Sequence, residues 1–333
     1  MLKQLISAVL LTIWYIYISY TYLTPSILIK EEKIINNLIK QSFQILSSYM
    51  IEYGFTPKIY YNEDIVPSKG KIDILIANHN NNLDGFLIIH ILKLMNITKW
   101  ICVGKKELMY IPGIGLNFLF DDHIKLSRKW EDDKLTLEEQ LDNINEGLII
   151  IFPEGTRFNL EKWEEGQKYS KDNNYPIYDN LLVPKSKGLL TMLNYLKKKN
   201  KFGKIFDLSI IYEKFYKSES TDMKLLEKDL GDIYLISREL DISNVDINSD
   251  INFKNWLLNI WKEKDLLFNF YKEVDYIELV FKHDKIVLTI NILIFIILSY
   301  QIYDNTYFRY YFVGSIIIAY ILTYIYSKKY KKN

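Results

Sequence analysis

The sequence predicts an α/β protein: a mostly parallel sheet flanked by helices, with a membrane helix before it and a transmembrane hairpin after it. Three observations carry this. Short apolar runs of strand length alternate with segments of helical length through the middle of the chain. The two most distinctive polar clusters begin where predicted strands stop. Long apolar runs lie at both ends, although the 333 residues are 49% hydrophobic and 25% charged, close to a globular average.

The elements follow in order. Ile72–Ala77 is a short, mostly apolar run of the kind a buried strand shows, and Leu83–Met95 is largely apolar over a helical length. Ile101–Gly104 and Ile124–Leu126 are short strand candidates. Thr136-x-x-Glu139 forms a capping-box pattern that opens a helix, and Gly147 is placed to close it. Leu148–Phe152, Ile205–Tyr212 and Asp232–Ile236 complete the strands. In a parallel sheet, ligands sit at the carboxyl ends of strands. Asn78–Asp84 and Pro153–Arg157 both start at such ends.

The ends of the chain suggest a bilayer. Leu5–Ile29 contains no charged residue and is long enough to span as a helix. A cleaved signal peptide is the competing explanation, but no small-x-small cleavage site follows. Pro25 leaves open a re-entrant or interfacial pair with 34–49. Ile286–Tyr303 and Tyr310–Tyr326 are joined by a short link containing Asp304 and Arg309, as in a tight helical hairpin. Lys282 and Lys285 precede the hairpin; Lys328, Lys329, Lys331 and Lys332 follow it. The positive-inside tendency puts both flanks, and the region before them, on the cytoplasmic side. The terminal lysines also resemble a dilysine endoplasmic-reticulum retrieval signal, and a solvated basic stop explains them equally well. The expected organisation is a membrane anchor at 1–49, a catalytic domain at 50–280, and a two-helix hairpin with basic tail at 281–333.

Composition excludes some classes. A net charge of +1 argues against a nucleic-acid partner. The single cysteine, Cys102, allows neither an internal disulfide nor a multi-cysteine metal cluster. The 27 tyrosines suit a lipid–water boundary, and a biased codon pool would produce the same excess.

Two clusters carry chemistry. In Asn78-His79-Asn80-Asn81-Asn82-Leu83-Asp84, a histidine titrating near ~6.5 suits proton abstraction at neutral pH. A carboxylate five residues on can return across a strand-to-helix turn to fix its tautomer. Alone, the pair equally fits an N-cap aspartate beside a surface histidine. Zinc is disfavoured, since no HExxH or second ligand pair accompanies it. In Phe152-Pro153-Glu154-Gly155-Thr156-Arg157, glycine permits close backbone approach, while Thr156 and Arg157 supply donors for a phosphate. Only four of the 42 basic residues are arginine, so Arg157 is not a default choice of cation. A structural turn with a surface salt bridge is the plainer explanation.

His79-x4-Asp84 followed by Phe152-Pro-Glu-Gly-Thr-Arg157 resembles the glycerolipid acyltransferase family, which includes 1-acylglycerol-3-phosphate acyltransferases. Pro112-Gly113-Ile114-Gly115 with Lys125-Leu126-Ser127-Arg128 is similar to the family's second motif, and Leu182-Val183-Pro184-Lys185-Ser186-Lys187-Gly188 to its fourth. Trp256-Leu257 and Glu263-Lys264-Asp265-x-Leu267, followed by the paired apolar runs, resemble the eukaryotic branch. The family commonly has Ser at Asn81, often an acidic or polar residue at Ser127, and an aromatic where Gly85 stands.

The resemblance implies acyl-CoA as co-substrate and a lysophospholipid acceptor, with no cofactor and no metal. It makes His79 the base and Asp84 its orienting carboxylate. Arg157 and Arg128 would hold the acceptor phosphate, Glu154, Gly155 and Thr156 would shape that pocket, and Lys105 would meet a phosphate of lipid or CoA. Lys106, Lys185 and Lys187 are further phosphate candidates, or solvated surface lysines. The acceptor expected is 1-acyl-sn-glycerol-3-phosphate, with lysocardiolipin or lysophosphatidylinositol as alternatives. A non-catalytic membrane scaffold on the same fold is the reading from another class, and a metal-dependent phospholipid hydrolase a third. The expected location is integral to an endoplasmic-reticulum-type membrane, catalytic domain facing the cytoplasm.

Overall fold

The computed structural model describes residues 57–110, 122–127, 129–214 and 230–279, with isolated positions at 40–52, 115, 118, 304 and 306. The predicted spans at 5–29 and 286–326, apart from two isolated positions, lie outside the described residues. Among the described residues no helix is long and apolar enough to cross a membrane. Contacts separate one compact unit, Phe55–Lys105 with Ile124–Leu279, from a second that includes Lys106–His123.

The first unit is built on eight strands: β1 (Ile59–Tyr61), β2 (Ile72–Ala77), β3 (Trp100–Lys105), β4 (Ile124–Leu126), β5 (Gly147–Ile151), β6 (Phe202–Tyr212), β7 (Ile233–Leu240) and β8 (Ile277–Glu278). Five helices accompany them: α1 (Leu83–Leu94), α2 (Trp130–Asp142), α3 (Leu160–Asp172), α4 (Lys187–Lys198) and α5 (Asp250–Phe270). The strands lie in the order β4-β3-β5-β2-β6-β7-β1-β8.

The expected mostly parallel sheet is a mixed one. β4, β3, β5, β2 and β6 are mutually parallel, whereas β7 runs antiparallel to β6 and β8 antiparallel to β1. A parallel neighbour requires a crossover, usually a helix. The antiparallel β6–β7 pairing carries on past the strand ends, with Glu213 N donating to Asp232 O at 2.9 Å and Lys214 N to Leu230 O at 3.0 Å.

β2 lies between β5 and β6, in the middle of the eight-stranded order, and is buried along its whole length. Its Ile74 and Ile76 join Ile149 and Ile151 of β5, Leu137 and Leu141 of α2, Leu189 and Leu193 of α4, and Phe253, Leu257 and Trp261 of α5 in one core. Alternation sends Leu75 and Ala77 to the other face, along with Phe206, Leu208, Ile210 and Tyr212 of β6. The polar exception in β2, Asp73, accepts from Lys204 N at 2.6 Å and Ser68 N at 2.5 Å, so its buried carboxylate is paired.

One expected helix start is corrected. α2 begins at Trp130, not at Thr136, whose hydroxyl instead bonds back to Asp132 O and Asp133 O within the helix. Glu131, Asp132 and Asp133 supply the negative charge a helix N-terminus favours, and Asp133 also accepts from Ser127 N. Gly147 opens β5 at φ 142° instead of closing the helix; a side chain there would meet Ile101 and the Lys99 carbonyl.

In the second unit, Lys106–Tyr110 forms a 3₁₀ turn. Gly115 packs so closely on the Met109 carbonyl that a Cβ would collide with it, which gives a physical reason for a glycine in that motif.

Candidate active site

The site forms at the carboxyl ends of β2, β5 and β6. β6 pairs with β2 as far as Ala77↔Leu208 and then runs on through Tyr212. Past that point the Asn78 side chain takes over the ladder. Its Nδ2 donates to Ile210 O at 2.9 Å and its Oδ1 accepts from Ile210 N at 2.8 Å. Asn80 Nδ2 donates to the same carbonyl at 2.9 Å. His79 is thereby held between two anchored asparagines.

The chain then turns into α1, and Asp84 in its first turn swings back. His79 Nδ1 lies 2.9 Å from Asp84 Oδ2. That oxygen also accepts from Asn80 N at 2.6 Å and Asn81 N at 2.8 Å, while Oδ1 accepts from the Tyr212 hydroxyl at 2.7 Å. The Asp84 side chain is fully enclosed, whereas that of His79 is 19% exposed. The imidazole stacks on Phe152, centroids 4.1 Å apart and planes inclined 20°. With Nδ1–H committed to the carboxylate, Nε2 carries the lone pair.

The second cluster follows β5. Gly155 adopts φ 69°, a conformation that favours glycine, and its N–H closes the turn onto Phe152 O at 2.9 Å. Arg157 Nη1 donates to Asn82 Oδ1, tying this turn to the start of α1. Phe158 N donates to His79 O at 2.8 Å. Lys185 N donates to Pro153 O at 2.8 Å, and the Lys185 side chain passes over Gly155. Three separate sequence blocks thus meet at one rim.

Glu154 points inward. Its carboxyl is 3% exposed and accepts from Trp261 Nε1 at 3.3 Å. Burial pushes it well above the usual carboxylate range, against the pull of Trp261, the Lys264 charge and the His79 N–H. Lys264 is buried too, donating to Leu208 O at 2.6 Å and pairing with Asp207 at 2.6 Å. Burial draws its ammonium below the usual lysine range, opposed chiefly by Asp207. Arg238 extends the chain of charges from Asp207 to Glu263.

Of the residues expected from sequence, His79, Asp84, Glu154, Gly155, Thr156 and Arg157 come together here. Thr156 is half-buried. Lys105 is exposed at the carboxyl end of β3, one strand removed from β2. Arg128 lies outside the described residues. Lys187 stands over the Trp130 ring at 6.0 Å. Tyr212, Trp261 and Asp207 were not foreseen, and Lys264 was noted only as part of a motif. Among the described residues no group of three or more histidine, cysteine or carboxylate side chains is arranged to hold a metal ion.

A histidine–carboxylate pair on the carboxyl rim of such a sheet is an arrangement chemically able to activate a hydroxyl or water. Residues 59–194 match the family described as Acyltransferase. The chain is 26% identical over 233 residues to probable 1-acyl-sn-glycerol-3-phosphate acyltransferase 5 of Arabidopsis thaliana, covering 68% of this chain and 60% of that one. It is 26% identical to lysophosphatidylinositol acyltransferase 10 of Caenorhabditis elegans, covering 61% and 54%. It is also 26% identical to lysocardiolipin acyltransferase 1 of Gallus gallus, covering 69% and 62%. The matched region thus spans little more than half the length of these relatives.

Proposed function

We propose that the protein transfers a fatty acyl group from acyl-CoA to the free hydroxyl of a lysophospholipid, with 1-acyl-sn-glycerol-3-phosphate as the acceptor and phosphatidic acid as the product. The observation that carries this is the enclosed Asp84 holding His79 through Nδ1, with Nε2 left to take a proton.

In the reaction, the acceptor oxygen attacks the thioester carbonyl carbon as its proton passes to His79 Nε2. Asp84 stabilises the imidazolium so formed. Collapse of the tetrahedral intermediate breaks the carbon–sulfur bond, and the departing CoA sulfur receives that proton. Cys102 has no part in this sequence. Arg157 and Lys185, brought beside Gly155, suit a phosphate at the rim, with Arg128 and Lys105 as further cationic contacts. Glu154 shapes that pocket from beneath.

The chain acts as an integral protein of an endoplasmic-reticulum-type membrane, its catalytic domain facing the cytoplasm. The names of the worm and chicken relatives favour lysophosphatidylinositol and lysocardiolipin as the alternative acceptors. A scaffold without catalysis is the alternative of another class, and the His79–Asp84 hydrogen bond speaks against it.

The test uses purified full-length protein, labelled acyl-CoA and a panel of lysolipids. Lysophosphatidate is expected to be the best acceptor, and His79→Ala to lower turnover by at least ~10²-fold. Near-wild-type turnover in that variant removes His79 as the base. Absence of CoA release with every lysolipid leaves the scaffold.

A further inference from the structure

We propose that Tyr212 is a positioning residue for the base: its hydroxyl fixes the plane of the Asp84 carboxylate and through it the imidazole of His79. This rests on the acyl-transfer function proposed above and deepens it.

A carboxylate held by one oxygen can still swing about its Cβ–Cγ bond. Oδ2 of Asp84 receives His79 Nδ1 and the two amides of Asn80 and Asn81, all from the same turn of chain. Oδ1 receives the Tyr212 hydroxyl, at 2.7 Å, from a strand 128 residues away. Fixing both oxygens sets the plane. Phe152, stacked on the imidazole, then constrains the ring as well.

The hydroxyl is suited to that single task. Tyr212 is 2% exposed, at the end of β6, where the strand has run past β2 and is paired with β7 at Tyr212↔Ile233. The Asn81 side chain lies near the same hydroxyl, its Oδ1 accepting from Leu83 N at 2.7 Å. Asp84, a carboxylate with no proton to give, is the acceptor of the phenol proton. Burial, and then the Asp84 charge, hold the phenol well above its usual pKa, so it stays a neutral donor. Asn81 is also where this chain departs from the serine common in the family it resembles.

The test compares wild type, Tyr212→Phe and His79→Ala in full-length protein. Tyr212→Phe keeps the buried ring and removes only the donor. Its kcat is expected to fall about tenfold while KM for acyl-CoA and lysophosphatidate stays within about twofold, because orientation and not binding is lost. The downfield Nδ1–H proton resonance, assigned by its absence in His79→Ala, is expected to shift in Tyr212→Phe. A kcat within about twofold of wild type, a loss confined to KM, or an unmoved resonance overturns the proposal. The resonance is read without turnover. A wild-type protein that transfers no acyl group, yet whose resonance moves on Tyr212→Phe, therefore overturns the acyl-transfer function and leaves the positioning intact.

Discussion

Glu154 sits in the Phe152–Arg157 block that resembles the glycerolipid acyltransferases, yet its carboxyl is turned from solvent toward Trp261 and the His79 amide. Removing it strands two buried donors, and each unsatisfied group costs about 1–3 kcal/mol. Glu154→Ala is therefore expected to lose about 2–4 kcal/mol in urea unfolding, and Glu154→Gln, which keeps an acceptor oxygen, about 1 kcal/mol or less. His90 offers a second single-residue test. Burial in α1, then the nearby Lys93 charge, draws its pKa down to about 3 from 6.5. The unfolded chain thus binds a proton that the folded protein refuses. The stability contributed by neutral His90 is complete above about pH 6.5 and is lost as pH falls toward 3, at up to ~1.4 kcal/mol per pH unit. His90→Leu is expected to flatten that part of the melting-temperature profile; an unchanged slope would show that His90 titrates normally. His79 and Asp84 were legible because five residues of sequence separate them. Tyr212, Trp261 and Asp207 were not, since one polar or aromatic side chain in a distant strand or helix leaves no local pattern.

The asparagine pair following β2 continues the strand by other means. Asn78→Ala forfeits both a donor and an acceptor matched to Ile210, so a loss of about 2–4 kcal/mol is expected in chemical denaturation, with the sheet signal in circular dichroism retained. A value under ~0.5 kcal/mol would mean water replaces the side chain there. Strands were the most readable elements. β2 and β4 carry the residue limits that their runs suggested: β2 is buried throughout and needs partners only for Asp73, and β4 is a three-residue edge strand bounded by polar residues. Helix α2 was read six residues late, because Thr136-x-x-Glu139 imitates a cap while three acidic residues upstream mark the true start. β1 and β8, of three and two residues, are too short to leave a periodic signature.

At the scale of the whole molecule, the parallel half of the sheet was foreseeable from alternating strands and helices, and its reversal at β7 was not. That reversal is set by which edge β7 pairs with and in which direction, a choice no residue pattern declares. The proposed bilayer anchors belong to this scale too. Carbonate-washed membranes from cells expressing the full chain are expected to retain it in the pellet, and its release to the supernatant would rule out the proposed spans. A last consequence concerns the order of synthesis. The recognised family segment ends at residue 194, before β6 and α5 exist. A ribosome that has delivered residues 59–194 has not yet delivered Ile210, Tyr212, Trp261 or Lys264. Until those arrive the nascent chain lacks the Tyr212 contact to Asp84 and the Ile210 contacts to Asn78 and Asn80, so the proposed site is completed late in synthesis.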